Sequence, residues 1–170
     1  MIEFEQPMFR PPSEANSLLI QATIGCSHNN CTYCAMYREL NQKFRIRSEE
    51  EILQIIKENS SPTYKKAFIA DGNALIIPTK VLLKTIKSIY DSNRNIKRVS
   101  IYGNVRDILR KSPEDLKKLS EAGLEMVYIG FESGDDLNSI EEIERTFNKI
   151  NDVDESEYVN TEEENVYAPS

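Results

Sequence analysis

The sequence has little cysteine and no long apolar run. Three of its 170 residues are cysteine, and an odd number cannot pair off into a disulfide framework. No apolar run approaches the roughly 18 residues that a membrane span needs. The first six residues carry two acids where a secretory signal would carry lysine or arginine. We therefore expect one domain in the reducing cytoplasm, without a membrane span.

The 21 Lys and Arg residues are outnumbered by 28 Asp and Glu residues. The net charge is -7, which argues against general nucleic-acid binding because that needs Lys and Arg clustered on one face. Residues 137–170 hold ten acids against two basic residues, a net of -8, which leaves +1 for the first 136. Apolar residues at helical spacing predict a helix over 137–150. Residues 151–170 are acidic and aperiodic, which favours a disordered tail.

Short apolar segments recur along the first 136 residues. They are rich in Ile, Val, Phe and Tyr, and they predict buried strands at 17–24, 66–70, 98–102 and 125–129. Helical patterns lie between them. Ser48 and Glu51 form a capping box that begins one helix. Pro78 opens a second, and Ser112 begins a third that Gly123 ends.

This alternation predicts the fold class. Strand and helix alternate four times, which is typical of an α/β fold with a parallel sheet and right-handed crossovers. Ligands gather at the carboxyl ends of such strands. Polar and glycine-containing loops follow all four predicted strands there, at Cys26, at residues 71–73, at residues 103–104 and at residues 130–134.

The three cysteines stand together at the first of these ends. Cys26, Cys31 and Cys34 are separated by four and two residues, so their thiolates can converge on one point. A plant-type two-iron cluster has this spacing but needs a fourth thiolate, which the chain lacks. Zinc would accept the three thiolates and His28, the only histidine, in a closed tetrahedral site. A four-iron cubane held by three thiolates would leave one iron open, so a zinc-stabilised binding module and an iron-sulfur site remain alternatives.

The cysteine loop resembles a known family. The three cysteines, with the aromatic Tyr33 before the last, at the end of the first strand of a parallel array, resemble the radical S-adenosylmethionine (radical SAM) superfamily. Members most often have three residues between the first two cysteines, whereas this chain has four, as some branches do. The resemblance covers residues 10–136, and its N-terminal part is similar to an uncharacterised bacterial branch.

The resemblance implies cofactors and a reaction. A 4Fe-4S cluster on Cys26, Cys31 and Cys34 would bind S-adenosylmethionine at its fourth iron. One electron, from a reductant such as flavodoxin or ferredoxin, would cleave the sulfonium bond. The resulting 5'-deoxyadenosyl radical would abstract hydrogen from a substrate that the sequence does not identify.

The resemblance also implies residues that bind the cofactor. In the family, the turn after the second strand holds a Gly-Gly-Glu-like element that receives the cofactor's amino group, and residues 71–73 occupy that place. The loop after the fourth strand lies near the ribose and methionine, and an aromatic residue beside the cysteines flanks adenine. The predicted cofactor-binding set is Tyr33, Asp71, Gly72, Asn73, Glu132 and Ser133. An Asp-Gly turn and a helix-capping loop are the structural alternatives.

The family's barrels continue to about six strands, but here an acidic segment follows the fourth. We therefore expect a lead at residues 1–15 and an incomplete TIM-type barrel of about four strand-helix units at 16–136. A truncated gene product, or half of a barrel completed by a second chain, would explain this pattern. A cluster-binding fragment without catalytic activity is a further alternative.

Overall fold

The structure, a computed structural model, describes residues 2–29, 37 and 42–130. The strands are β1 (Leu18–Gln21), β2 (Thr23–Ile24), β3 (Arg45–Ile46), β4 (Lys66–Ala70), β5 (Arg98–Gly103) and β6 (Leu124–Ile129). The helices are α1 (Glu49–Asn59), α2 (Thr79–Ser92), α3 (Val105–Arg110) and α4 (Pro113–Glu121), with 3-10 turns at Pro12–Glu14 and Ala74–Ile76. No helix in this part of the chain combines the length and the apolar character needed to cross a bilayer.

Four strands form one parallel sheet. β1, β4, β5 and β6 lie side by side in that order, and each runs parallel to the next. α1, α2 and the pair α3–α4 lie in the successive connections. The predicted α/β class is therefore confirmed. Within the described residues the sheet does not close on itself, in agreement with the predicted partial TIM-type barrel.

The first predicted strand is divided in the structure, so one continuous strand over residues 17–24 is wrong. The division falls at Ala22, whose N–H donates to Ala70 and whose carbonyl accepts from the Arg47 N–H. Beyond it, β2 pairs antiparallel with β3. β3 was not predicted because it is two exposed residues long and carries no apolar pattern.

Helix boundaries follow the predicted caps. The Ser48 hydroxyl accepts from the Glu51 N–H at 3.2 Å, and the Glu51 carboxylate accepts from the Ser48 N–H at 2.7 Å, so the capping box begins α1. Pro78 is the N-cap of α2, and Ser112 that of α4. Gly123 follows α4 with a φ of +105°, where a side chain would be strained. The short helix α3 was not predicted.

The two faces of the sheet have different surroundings. Side chains alternate along each strand, and one set packs against the helices, with Ile20 and Ile69 fully buried at its centre. The other set includes Phe68, Tyr102 and Tyr128, whose rings contact one another edge to face. We call this second side the inner face, because it would line the interior of a closed barrel.

A buried carboxylate joins the N-terminal segment to the inner face. Glu14 is fully buried; it accepts hydrogen bonds from Ser17, from Ser100 at 3.2 Å and from Tyr128 at 2.7 Å, and it pairs with Arg98 at 2.7 Å. Burial raises the pKa of Glu14, but the hydrogen bonds and the Arg98 charge outweigh it and hold the pKa below its ordinary value. Ser100 is therefore part of a structural network.

Candidate functional site

Loops from successive strands meet at the carboxyl end of the sheet. Cys26 comes two residues after β2, and Asp71, Gly72 and Asn73 follow β4 directly. A Cβ at residue 72 would lie 2.5 Å from the Gly25 carbonyl oxygen and 2.9 Å from the Cys26 Cα. The chain requires glycine at this position because two backbones touch there. Gly72 thus lies against the backbone of the cysteine loop.

Hydrogen bonds hold the same two loops together. The Thr23 hydroxyl donates to the Asp71 carbonyl at 3.0 Å and accepts from the Asp71 N–H at 3.1 Å. Thr23 is fully buried, so neither bond competes with bulk water. The start of the cysteine loop is therefore fixed to the end of β4 before any ligand is considered.

Asn73 lies at the centre of the site with its side chain buried. It is 1% exposed, and its Nδ2 donates to the Ser27 hydroxyl at 2.9 Å and to the Asp107 carboxylate. Its Oδ1 is buried and has no hydrogen-bond partner among the described residues. An unpaired buried carbonyl oxygen costs about 1–3 kcal/mol, so this atom is a candidate to accept a hydrogen bond from a ligand.

Asp71 and Tyr37 form a second buried pair beside the glycine. The Tyr37 hydroxyl donates to Asp71 Oδ1, which also accepts the Gly72 N–H at 2.8 Å. Burial raises the pKa of Asp71, although the bonds from Tyr37 and Gly72 oppose it. Burial, followed by the bond to Asp71, also raises the pKa of Tyr37. Asp71 Oδ2 is buried and makes no hydrogen bond of ordinary geometry within the described residues, although donors on the Gln21 side chain and the Phe9 backbone lie near enough to lower the pKa of this carboxyl.

A cavity of about 270 Å³ adjoins Asp107. Its cations already have partners: Lys111 donates to the Ile77 carbonyl at 2.9 Å, and Arg110 lies 3.6 Å from Asp107. Burial lowers the pKa of Lys111. Asp115 also lines the cavity and accepts from Thr79. Two acidic and two basic side chains line the cavity, so it offers no net charge to a ligand. We therefore treat it as the environment of Asp107 and not as a binding site.

Comparison with protein families identifies the family to which this strand-helix domain belongs. The family described as the Radical SAM superfamily matches residues 20–159. This chain belongs to the radical SAM superfamily. The radical SAM match begins in β1, contains the three cysteines, and continues beyond residue 136, where the sequence placed the end of the domain. No curated protein matches the chain.

The described residues hold part of the predicted radical SAM site. Cys26 is half-buried with a free thiol, and the 71–73 loop contacts its backbone. The remaining predicted residues lie outside the described part of the chain: Cys31, Tyr33, Cys34, Glu132 and Ser133. No group of three metal-ligating side chains occurs within the described residues. His28, the fourth ligand in the zinc alternative, has an exposed side chain.

Several contacts at the site were not expected from the sequence. Thr23, Ser27 and Asp107 were not singled out, although each bonds to residues 71–73. The spacing of Asn104 and Asp107 has the form of a helix cap, and the Asn104 side chain does accept the Asp107 N–H. That local signal predicts a helix start, whereas the bond to Asn73 depends on how β4 and β5 are aligned.

Proposed function

We propose that this chain binds a 4Fe-4S cluster through Cys26, Cys31 and Cys34 and binds S-adenosylmethionine beside it. In this proposal it uses one electron from a flavodoxin- or ferredoxin-type reductant to start hydrogen abstraction from a substrate. Family membership supports the general radical chemistry. The observation that carries the cofactor assignment is the buried Oδ1 of Asn73, next to the cysteine loop, which has no hydrogen-bond partner among the described residues.

The described residues fit the amino end of the cofactor. An ammonium group brings three donors and no acceptor. Asn73 Oδ1 is a buried acceptor with no donor among the described residues. Asp71 Oδ2 is a second buried acceptor that makes no hydrogen bond of ordinary geometry there, although donors on Gln21 and Phe9 lie near the same carboxyl. Buried acceptors are usually satisfied. Both atoms belong to the loop that replaces the family's Gly-Gly-Glu-like element. Asn73 would accept a hydrogen bond, and Asp71 would supply the negative charge.

The cysteines fit the cluster by ligand type and number. Thiolate is the ligand that iron-sulfur clusters prefer, and three thiolates leave one coordination position open. When bound, the reduced cluster supplies the electron that splits the sulfonium of S-adenosylmethionine into methionine and a 5'-deoxyadenosyl radical. The hydrogen atom taken from the substrate would appear in 5'-deoxyadenosine, with a radical left on the substrate. The protein's part is to hold Cys26 against Gly72 and to present acceptors to the ammonium.

The proposal is tested on the full chain after anaerobic reconstitution. We expect about four irons and four sulfides per chain, and an electron paramagnetic resonance signal of the reduced protein that changes when S-adenosylmethionine is added. Alanine at Cys26, Cys31 or Cys34 should abolish cluster binding. With dithionite and S-adenosylmethionine, 5'-deoxyadenosine should accumulate.

The His28→Ala variant separates the iron and zinc alternatives. His28 is exposed and is a ligand only in the zinc site, so His28→Ala should load iron and sulfide as the wild type does. One tightly bound zinc per chain, lost in His28→Ala, would overturn the proposal. A cluster that forms while no 5'-deoxyadenosine is released would indicate the inactive cluster-binding fragment.

A further inference from the structure

We propose that Asp107 is a positioning residue that sets the orientation of the Asn73 carboxamide, so that its oxygen and not its nitrogen is presented to the cofactor's ammonium group. This inference rests on the proposed function, because it assigns the part of the site that receives the ammonium. Asp107 lies on α3, after β5, and belongs to no segment that the sequence associated with cofactor binding.

The two ends of the Asn73 carboxamide have nearly the same shape and opposite hydrogen-bonding character. Nδ2 faces two acceptors, the Ser27 hydroxyl and the Asp107 carboxylate. The hydroxyl can donate as well as accept, so Ser27 tolerates either orientation of the amide. A carboxylate can only accept. Asp107 is therefore the partner that distinguishes nitrogen from oxygen.

Asp107 is itself held in place. It is 5% exposed, and its N–H donates to the Asn104 side chain at 3.0 Å. Its other carboxylate oxygen lies 3.6 Å from Arg110, and Lys111 is near enough for its charge to interact with that of Asp107. Two cations therefore lie beside this carboxylate. If Asp107 were removed, they would attract the Asn73 oxygen and favour the flipped amide.

Two substitutions at residue 107 should therefore have graded effects on the affinity for S-adenosylmethionine. Asp107→Asn can pair with either end of the Asn73 amide, so the productive orientation falls to about half and the dissociation constant rises about 2-fold. Asp107→Ala leaves the cations to favour the flipped amide, so the productive fraction falls to about a tenth or less and the constant rises about 10-fold or more.

Asp115→Ala is the matched control. Asp115 has the same place in α4 as Asp107 has in α3, the third residue of the helix, and it lines the same cavity. Its side chain accepts from Thr79 and not from Asn73. Asp115→Ala should bind S-adenosylmethionine with wild-type affinity. Iron content and unfolding by urea, followed by circular dichroism, check that each variant is folded and loaded.

Equilibrium dialysis of the reconstituted chain with S-adenosylmethionine measures these affinities. Repeating the measurement in the Asn73→Ala variant shows whether Asp107 acts through Asn73. In the Asn73→Ala protein, Asp107→Ala should cause no further loss of affinity for S-adenosylmethionine, because the amide that Asp107 orients is absent. In the protein without cluster, the NMR signals of the Asn73 side-chain amide should shift in Asp107→Asn and Asp107→Ala but not in Asp115→Ala.

The outcomes separate this inference from the proposed function. If the wild-type chain binds S-adenosylmethionine and Asn73→Ala weakens binding, but Asp107→Ala does not, the inference is wrong and the proposed function stands. The inference is also wrong if Asp107→Ala lowers the affinity for S-adenosylmethionine equally in the wild-type and the Asn73→Ala backgrounds. A wild-type chain that loads no cluster or binds no S-adenosylmethionine refutes the proposed function, and the inference with it.

Discussion

The Gly72→Ala variant tests the contact that holds the cysteine loop against β4. The added Cβ would lie 2.5 Å from the Gly25 carbonyl oxygen, 2.9 Å from the Cys26 Cα and 3.0 Å from the Gly25 carbonyl carbon. All three atoms belong to the backbone, so no side chain can rotate away. Restoring an ordinary separation of about 3.5 Å moves the two loops apart by about 1 Å.

Overpacking of this kind costs about 1–3 kcal/mol. We expect Gly72→Ala to lower the free energy of unfolding by that amount in the protein without cluster, as measured by urea denaturation. Because the displaced atoms include the Cys26 Cα, the variant should also bind less iron after reconstitution than the wild type.

Gly103→Ala provides the comparison. It makes the same chemical change at the end of β5, but its Cβ would meet Leu75 Cδ2 at 2.9 Å, Val127 Cγ1 at 3.0 Å and Leu75 Cβ at 3.1 Å. The first two atoms are side-chain ends that can move, and the Leu75 Cβ needs to shift by only a few tenths of an ångström. We expect a loss of about 1 kcal/mol, the lower end of the range for overpacking, and normal iron content. If Gly72→Ala proves as stable as Gly103→Ala and loads iron fully, the contact between Gly72 and the Gly25–Cys26 backbone does not hold the cysteine loop in place.

Three further predictions concern the scaffold. Ser48→Ala removes the capping box of α1 and should cost about 1 kcal/mol in urea denaturation; an unchanged midpoint would contradict the cap. Hydrogen bonds from Arg45 and Ser48 lower the pKa of Glu51 to about 2, so its contribution is present above its ordinary pKa and is lost as the pH falls toward 2. The stability difference between wild type and Glu51→Gln, about 1 kcal/mol at pH 7, should therefore close between about pH 4.5 and 2; a difference independent of pH would refute this. Glu14→Ala leaves Arg98 without its 2.7 Å partner and should cost about 3–5 kcal/mol by thermal or urea unfolding, whereas a loss below 1 kcal/mol would show that the network contributes little.

Local patterns in the sequence predicted most of the fold. Ser48 and Glu51 cap α1 as expected, because both partners of a capping box lie within one turn. The predicted strand at 66–70 has the same bounds as β4. A short apolar run bounded by polar residues is typical of a buried strand, so its ends can be predicted from the sequence. β3 and the division at Ala22 were not predictable in this way. They depend on hydrogen bonds between segments far apart in the chain.

The same distinction between local patterns and contacts of distant segments applies to the candidate site. The sequence by itself determined the three-cysteine loop, the family and the turn at residues 71–73, since each is a run of neighbouring residues whose chemistry can be read without coordinates. Only the tertiary structure decided that Gly72 touches the backbone of Cys26 and that Asp107 holds the Asn73 amide. Those pairings arise from the parallel alignment of the strands, which brings together loops that are more than thirty residues apart along the chain.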